Sequence, residues 1–480
     1  MTPGARISSV VELLTAIDDE AMPPDQIIDK YFRKRRYAGS GDRRYIGSHV
    51  YDILRHRSRL DWWLARTGLG ISTDARRRAL VFLVVHDRAS PEEIGNIFTG
   101  NTHCPTPLED DELALVDGLY GRPAINDDMP DHVRLEYPEW MDRSFRSLWG
   151  DALEREMSAL NQPASLDLRV NTMKSTPEDA LARLREDYMD CEPMPLSPIG
   201  IRVEGKLRIG GTRAYKEGLV EVQDEGSQLV SMLTDARPGM TVIDYCAGAG
   251  GKTLAMAAMM AQGDRISGRL HGLDISGYRL ERMAPRQKRA GVFGIKRRAI
   301  AAENDPWVAE NAETADRVLC DVPCTQTGSW RRNPEARWHF SPEDLDNIRD
   351  VQQRILSSAA TLVKHGGRLI YVTCSLLQEE NEQQLRASRY QLEVPPSPPS
   401  TKRALSEKSA AHQTRKSQRA SMIQSGDYLN ALGASVSDDS DDDKNFGVEE
   451  EVTFTIGSNT RMSQVGEKLG THRRNDLFVL

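Results

Sequence analysis

Short apolar runs alternate with helical stretches from residue 223 to about residue 384, and no other pattern in the chain narrows the possible folds as strongly. The candidate strands read MTVIDYC, RLHGLDIS, DRVLCDVP and RLIYVTCS, with helical stretches such as KTLAMAAMMA between them. This order predicts an α/β fold with a doubly wound parallel sheet. Ligands bind such sheets at the carboxyl ends of the strands. Four candidate functional residues fall there: Asp244, Asp274, Asp321 and Cys374.

The rest of the 480-residue chain divides by pattern, and its length favours several domains. Apolar residues at helical spacing predict an all-helical domain over residues 1–125. Mixed strand and helix patterns predict a small α+β module over 130–222, which precedes the parallel-sheet domain at 223–390. A polar and acidic stretch at 391–451 is predicted to be disordered or an inserted loop, and the apolar NDLFVL predicts a strand within 452–480 that returns to the catalytic domain.

The chain has no run of about 18 apolar residues, and its first residues, MTPGARISSVVELL, lack the apolar core of a signal peptide. We therefore expect a cytoplasmic protein with no membrane partner. The six cysteines are then expected to be reduced thiols, because disulfides are rare in that compartment.

The formal net charge of −8 argues mildly against a nucleic-acid partner, but positive charge is concentrated near the N-terminus. Between residues 31 and 60, nine Lys or Arg stand against two Asp, and Tyr31, Tyr37 and Tyr45 lie beside them. One interpretation is a solvated helix face, and the other is a surface that contacts phosphates. The residues predicted to make such contacts are Arg33, Lys34, Arg35, Arg36, Arg43 and Arg44.

The first strand of the predicted sheet runs into a glycine-rich turn, VIDYCAGAGGKT. A phosphate-binding P-loop would need glycine where Cys246 stands, and a dinucleotide fingerprint begun at Gly248 would need glycine at Thr253, so the turn matches neither. Asp274, at the end of the next strand, is suited to accept ribose hydroxyls. The turn therefore favours a nucleoside such as S-adenosylmethionine, with tight packing of strand on helix as the alternative.

Two cysteines follow two other strand ends, in DVPC and TCS. A nucleophilic thiolate at Cys374 needs a favourable setting, and we expect LLQEENEQQ to form a helix whose N-terminus lies beside it. Asp321, close to Cys324, is suited to bind a base or to move a proton. Buried structural thiols are the alternative. Zinc is disfavoured, because the spacing from Cys320 to Cys324 is wrong for a knuckle and no histidine is in register.

Five segments, taken in order, resemble the RsmB/NSUN family of RNA cytosine-C5 methyltransferases: VQDEGSQL, DYCAGAGGKT, LDISGYRLERM, DVPCTQTGSWRRNPEARW and TCSLLQEENE. The resemblance covers about residues 169–384. The segment YFRKRRYAGSGDRRYIGSHVYDILR is also similar to the NusB-like RNA-binding domain of bacterial members. The resemblance implies a class I methyltransferase with a Rossmann-like sheet, S-adenosylmethionine as cofactor, and RNA binding by the helical domain and the α+β module. One departure is Gln326, which stands where the family commonly has glycine.

The resemblance also implies roles for individual residues. Cys374 would attack cytosine C6, and Cys324 would assist breakdown of the covalent adduct. Asp321 would contact the base near N3 and support its protonation, with Lys252 reaching the base or this aspartate. The implied cofactor-binding residues are Cys246, Ala247, Gly248, Ala249, Gly250, Gly251, Lys252, Asp274 at the ribose hydroxyls, Arg279 in support, and Asp321.

By this resemblance the chain is an RNA (cytosine-C5)-methyltransferase. The NusB-like segment favours ribosomal RNA as substrate, and transfer RNA is the alternative. A DNA cytosine-C5 methyltransferase would take its nucleophile from the position of Cys324. A non-catalytic ribosomal RNA-binding assembly factor would be expected to have lost a thiol or the cofactor loop, and here both thiols and the loop are present. We expect no metal, and we expect a monomer although the sequence does not determine the oligomeric state.

Overall fold

The computed structural model of the protein divides into two compact units. Unit 1 comprises residues 1–162 together with 330–340, and unit 2 comprises residues 163–329 together with those from 341 onward. No helix in the described part of the chain is both long and apolar enough to cross a membrane. The structure describes residues 1–20, 22–66, 73–204 and 209–391.

Unit 1 is built from helices, as the periodicity predicts. The Thr2 side chain accepts a hydrogen bond from the Ala5 N–H (3.2 Å), and Pro3 occupies the first helical position, where no N–H donor is needed. Apolar residues at helical spacing then bury one face of each helix in a shared core. The helices are α1 Pro3–Asp19, α2 Pro24–Lys34, α3 Ser40–Arg55, α4 Arg57–Arg66, α5 Ala75–Val81, α6 Pro91–Ile97, α7 Asp110–Leu119, α8 Asp131–Arg134, α9 Asp142–Trp149 and α10 Leu153–Leu160, with a π-helical turn at Phe82–His86 and 3₁₀ turns at Glu139–Met141, Gly150–Ala152 and Pro334–Trp338.

Residues 330–340 belong to unit 1, although the residues on either side of them belong to unit 2. Arg337 is fully buried there, and its guanidinium donates to the carbonyls of Arg55 (3.1 Å) and Leu160 (3.2 Å) and to the side chain of Asn161 (2.8 Å). Burial lowers the pKa of Arg337 to about 9. The two carbonyls lie at the C-terminal ends of α3 and α10, where helical partners are missing. The segment is therefore held by one buried side chain that serves two helix ends.

Unit 2 begins with a small four-stranded sheet in which every pair of strands is antiparallel. Leu168 and Val170 on its first strand and Leu184 on a covering helix are fully buried and form its core. This is the α+β arrangement that the mixed pattern predicts. The elements are β1 Leu166–Val170, α11 Pro177–Glu186, β2 Cys191–Pro193, β3 Gly200–Val203, α12 Arg213–Lys216 and β4 Val220–Val222, and the sheet order is β2-β3-β1-β4.

The remainder of unit 2 alternates strands and helices. In chain order its elements are α13 Glu225–Leu233, β5 Thr241–Asp244, α14 Gly251–Met259, β6 Ala261–Gln262, β7 Arg265–Ile266, β8 Arg269–Asp274, α15 Gly277–Glu281, α16 Met283–Ala290, β9 Ile295–Ala299, α17 Pro306–Glu310, β10 Ala315–Asp321, a 3₁₀ turn Thr327–Ser329, α18 Pro342–Thr361, β11 Val363–Val372 and α19 Glu382–Gln391. The polar segment predicted at 391–451 and the return strand predicted within 452–480 lie outside the described residues, apart from the last residue of α19.

Five of these strands form one parallel sheet in the order β11-β10-β5-β8-β9. Val242 and Ile370 pack with apolar residues of α14 on one face, and Ile243 and Val318 pack with those of α18 on the other. The predicted doubly wound sheet and its four predicted strands are therefore confirmed. The fifth strand, β9, was not predicted because its sequence, IKRRA, is mostly basic and exposed, as an edge strand tolerates.

Candidate active site

The two cysteines that follow strands β10 and β11 meet at the carboxyl edge of the parallel sheet. Their sulfur atoms, Cys324 Sγ and Cys374 Sγ, lie 3.2 Å apart, and both thiols are free. The N–H of Gly328 donates to the carbonyl of Cys374 (2.8 Å), so backbone also joins the two loops. Cys324 is 5% exposed, whereas Cys374 is open to solvent. The two thiols therefore differ in access, although they touch.

The environment of the buried thiol favours its protonated form. The hydrogen bond to Cys374 and burial raise the pKa of Cys324 well above its ordinary value, and the charge of Glu380 acts in the same direction. A buried thiol with a raised pKa keeps its proton at neutral pH. Of the two sulfurs, only Cys374 combines contact with its neighbour and access to a molecule from solution.

Lys252 and Asp321 form an ion pair beside the thiols. Asp321 ends β10, Lys252 lies in the first turn of α14, and Nζ donates to Oδ2 at 2.6 Å. Burial alone lowers the pKa of Lys252, but the charge of Asp321 and this hydrogen bond outweigh it, so that the pKa is raised. Lys252 also interacts electrostatically with Cys374. A proton-holding ammonium and a partly exposed carboxylate are thus brought to the same edge as the thiols.

The glycine-rich turn lies between β5 and α14 and is shaped by backbone conformations that favour glycine. Gly248 has φ +54° and Gly250 has φ +82°, both in the left-handed region. A side chain at Gly248 would begin 2.6 Å from the guanidinium of Arg279, which itself lies 3.5 Å from Asp274. The predicted cofactor residues Cys246, Ala247, Gly248, Ala249, Gly250, Gly251 and Lys252 all lie in this turn or at the start of α14.

Asp274 faces the turn from the end of β8. Its carboxylate is buried and accepts hydrogen bonds from the N–H groups of Gly248 and Ser276, each at 2.8 Å. The acid at the second strand end and the glycine turn at the first are therefore directly bonded. This is the fit expected of a nucleoside site, in which backbone approaches the ligand closely and an acid stands at the ribose position.

Asp244 lies beneath the same turn and is fully buried. Its Oδ2 accepts a hydrogen bond from the Thr253 hydroxyl (2.6 Å), but among the described residues Oδ1 has no partner. Burial raises the pKa of Asp244 to about 7, with a further contribution from the charge of Asp321. The sequence places this residue at a strand end but gives no sign of its burial.

One expectation about the thiols is wrong. The helix predicted to start directly after Cys374 begins only at Glu382, so its N-terminus does not lie beside the sulfur. Residues 375–381 instead turn back on themselves, because the Thr373 hydroxyl accepts from the Ser375 N–H (3.1 Å) and the Asn381 amide donates to the Ser375 carbonyl (3.0 Å). The same turn brings a fully buried acid, Glu380, under both thiol loops, which sequence reasoning missed. The only sign of Glu380 in the sequence is that it is an acidic residue within the segment TCSLLQEENE.

The predicted phosphate-contacting residues lie in unit 1, on α2, α3 and the loop between them. Arg35 pairs with Glu12 (2.8 Å) and stacks on a tyrosine ring, and Arg43 donates to the Ala38 carbonyl (2.9 Å), so these two are engaged within the unit. Arg33 is largely exposed but pairs with an aspartate one turn away. The remaining three are exposed: Lys34, Arg36 and Arg44.

In the described ranges, no group of three or more histidine, cysteine, aspartate or glutamate side chains is arranged to hold a metal ion. The cysteines considered for zinc are instead distributed between the buried sheet and the loops above it, with Cys320 fully buried inside β10.

Two family models match the chain. The model described as 16S rRNA methyltransferase RsmB/F matches residues 231–418, and the RsmF/B-like ferredoxin-like domain matches residues 137–210. The first match contains the glycine turn, both thiols and the Lys252–Asp321 pair. The second includes most of the small antiparallel sheet.

Relatives and solved structures agree with these matches. A probable ribosomal RNA small subunit methyltransferase B of Synechocystis sp. is 31% identical over 389 residues, covering 75% of this chain and 83% of that one. Ribosomal RNA small subunit methyltransferase B of Salmonella typhi is 29% identical over 263 residues, covering 55% and 60%. The crystal structure of PH0851 superposes with a TM-score of 0.67 at 26% identity, covering 85% of this chain and 94% of that one.

Proposed function

Because the chain belongs to the RsmB/F family of 16S ribosomal RNA methyltransferases, we propose that it methylates cytosine at C5 in ribosomal RNA through a covalent adduct. The membership confirms the resemblance read from the five motif segments. The observation that carries the proposal is the pair of thiols 3.2 Å apart at neighbouring strand ends, one exposed and one buried.

The chemistry of cytosine explains why two thiols are useful. C5 is a poor nucleophile until a thiolate adds at C6, which makes C5 enamine-like. In the proposed cycle the Cys374 thiolate forms a bond to C6 while N3 takes up a proton. After C5 has gained its methyl group, C5 gives its proton to water, and the electrons of that C–H bond form the C5–C6 double bond. The bond from sulfur to C6 breaks with its electron pair on Cys374, which leaves as thiolate, and N3 releases the proton that it took up. Cys324, in contact with that sulfur, assists this breakdown.

The Lys252–Asp321 pair is proposed to act at the base. Asp321 contacts the ring near N3, and Lys252 orients Asp321 by a 2.6 Å hydrogen bond. Since the raised pKa keeps Lys252 protonated, the pair holds a proton next to the atom that needs one during attack. The electrostatic interaction of Lys252 with Cys374 places this same charge near the nucleophile.

The glycine turn and Asp274 are proposed to hold the cofactor. S-adenosylmethionine, when bound, supplies the methyl group. Residues 246–252 offer backbone at close range, Asp274 accepts from ribose hydroxyls, and Arg279 stands beside that carboxylate at 3.5 Å. Asp321 reaches the same crevice from the end of β10.

The exposed part of the basic cluster is proposed to contact RNA phosphates. Replacing Arg36 and Arg44 together by alanine should weaken RNA binding and reduce the slope of log affinity against log salt by about 1 to 2, because each phosphate contact releases roughly one counterion. Replacing Arg354, an exposed arginine on α18 outside both regions expected to bind RNA, should leave the slope unchanged. An unchanged slope in the double variant would remove this surface from the RNA interface.

Two alternative functions are less well supported. A DNA cytosine-C5 methyltransferase would need Cys324 as nucleophile, yet that thiol is 5% exposed and favours its protonated form. A non-catalytic assembly factor has no use for an ion pair and a thiol pair at the ligand edge of the sheet. Transfer RNA remains a second substrate to be tested beside ribosomal RNA.

The test combines labelled S-adenosylmethionine with small-subunit ribosomal RNA or transfer RNA and follows both methyl transfer and adducts on denaturing gels. Cys374→Ala should abolish transfer and form no adduct, whereas Cys324→Ala should accumulate a covalent protein–RNA adduct. Cys104→Ala, a free cysteine of unit 1, is the matched control and should behave as wild type. Methylation by Cys374→Ala would overturn the assignment, and label in a position other than C5 would overturn the chemistry.

A further inference from the structure

Glu380 lies beneath both thiol loops and is fully buried. Its Oε1 accepts hydrogen bonds from the Thr325 N–H and from the Gln352 side chain, each at 2.9 Å. Its Oε2 accepts from the hydroxyls of Thr325 and Ser375. An ionised carboxylate has about four acceptor sites, and here four donors occupy them.

The donors come from both loops. Thr325 directly follows Cys324, and Ser375 directly follows Cys374. One carboxylate therefore accepts a hydrogen bond from the residue next to each thiol. Gln352 of α18 adds a third element, because its amide also donates to the Pro323 carbonyl (2.9 Å) just before Cys324. The cysteines are 50 residues apart in the chain, and this shared acceptor joins their loops through side chains.

We propose that Glu380 is the positioning residue that sets the separation of the two thiols, acting through Thr325 and Ser375. The residue does not itself touch substrate, because none of its surface is exposed. The inference rests on the proposed function for its catalytic meaning, but the geometry it describes exists without RNA or cofactor.

A carboxylate at position 380 accepts all four hydrogen bonds, and other side chains there would not. Alanine would leave four donors without their acceptor, and each unsatisfied buried donor is costly. Glutamine can still accept from the Thr325 N–H and from Gln352 through its oxygen, while its NH₂ faces two hydroxyls that can rotate to accept. Glu380→Gln should therefore hold the loops better than Glu380→Ala. The backbone bond from Gly328 to Cys374 remains in both variants, so the loops do not separate fully.

A thiol–disulfide equilibrium reports the thiol separation directly. With oxidised glutathione, the two thiols exchange their hydrogens for a Cys324–Cys374 bond and release two molecules of reduced glutathione. The equilibrium constant measures how well the protein holds the sulfurs together. It is determined on the full chain by mapping the linked peptides over a series of glutathione ratios.

Glu380→Ala should lower this equilibrium constant about tenfold, and Glu380→Gln by a few-fold at most. Glu225→Ala is the matched control: Glu225 is also a buried acid of unit 2, but it accepts from the N–H groups of Leu196 and Ser197. The control should lose stability to denaturant while the equilibrium constant stays at the wild-type value. A folded Glu380→Ala protein with the wild-type constant would overturn the proposal.

If Glu380→Ala does not fold, Thr325→Val and Ser375→Ala each remove one donor and should each lower the constant about two- to threefold; wild-type values in both would equally overturn the proposal. Methylation gives the catalytic readout, in which Glu380→Ala lowers kcat and leaves KM for RNA unchanged. If Cys324→Ala forms no RNA adduct and wild-type protein transfers no methyl group to RNA, the proposed function fails, while the disulfide equilibrium still decides the role of Glu380.

Discussion

The glycine turn after β5 and the thiol loops after β10 and β11 lie at the same edge of one sheet, but they are held in different ways. The glycine turn depends on backbone conformation, with Gly248 and Gly250 in the left-handed region. The thiol loops depend on buried polar side chains that converge on Glu380. The shape of the glycine turn therefore depends on residues that lack a side chain. The shape of the thiol loops depends on hydrogen bonds between side chains from separate parts of the chain.

The two regions also treat a buried carboxyl differently. Asp244, under the glycine turn, accepts one hydrogen bond from a side chain, and one of its oxygens has no partner among the described residues. Glu380, under the thiol loops, accepts four. A buried carboxyl that lacks donors favours its neutral form. Asp244 is thus expected to make the glycine turn sensitive to pH.

The largest expected effect is a change in the free energy of unfolding with pH that depends on Asp244. Its pKa is raised to about 7 by burial, whereas in the unfolded chain the group releases its proton near pH 4. Between these values the folded state binds more protons, so the free energy of unfolding falls as pH rises. Relative to Asp244→Asn, which does not titrate, wild type should lose up to about 4 kcal/mol from about pH 4 to about pH 7 in denaturant titrations. A difference between the two proteins that is constant with pH would contradict the comparison.

The second effect tests the backbone of the glycine turn. A side chain at Gly250 would begin 2.4 Å from the buried Met283 side chain and would also have to adopt φ +82°. Gly250→Ala should therefore destabilise the protein by about 2–4 kcal/mol and weaken S-adenosylmethionine binding in calorimetry.

Its neighbour supplies the control for that variant. Gly251 begins α14, and a side chain there would meet nothing closer than 3.8 Å. Gly251→Ala should change stability by no more than about 1 kcal/mol. Equal losses in both glycine variants would show that neither the left-handed backbone nor the contact with Met283 distinguishes Gly250 from its neighbour.

The different construction of the two regions explains how much of each the sequence reveals. Strand order, the glycine turn and the two thiols follow from local patterns, so the parallel sheet and its functional edge could be predicted. The burial of Glu380 depends on its hydrogen bonds with Thr325 and Ser375, which are fifty residues apart in the chain. No local sequence pattern predicts a contact of such long range. The late start of α19 has the same cause, because the preceding residues are used in the turn around Ser375.

Long-range packing also decides where residues 330–340 belong. They follow the Cys324 motif directly, yet they pack in unit 1 around the fully buried Arg337. An arginine in a segment rich in charge is more often exposed, and the carbonyls of Arg55 and Leu160 together with the Asn161 side chain make its burial favourable. The spacing of residues in the sequence does not predict these hydrogen-bond acceptors of Arg337.

The smallest expected effect concerns Gln326, the one place where a thiol loop adopts the kind of backbone found in the glycine turn. Gln326 is exposed and has φ +60°. Gln326→Gly should relieve the strain of a left-handed non-glycine residue and stabilise the protein by about 0.5–1 kcal/mol, net of the added flexibility of the unfolded chain.

Gln378→Gly is the matched control, because this glutamine lies in the turn after the other thiol and does not have positive φ. That variant should lose up to about 1 kcal/mol in the same thermal or denaturant measurement. Stabilisation by Gln326→Gly together with destabilisation by Gln378→Gly would show that left-handed backbone occurs in both regions, and in the thiol loops at one position. The thiols themselves would then be held in place by side chains. A loss in both variants would instead show that Gln326 contributes contacts that outweigh its strain.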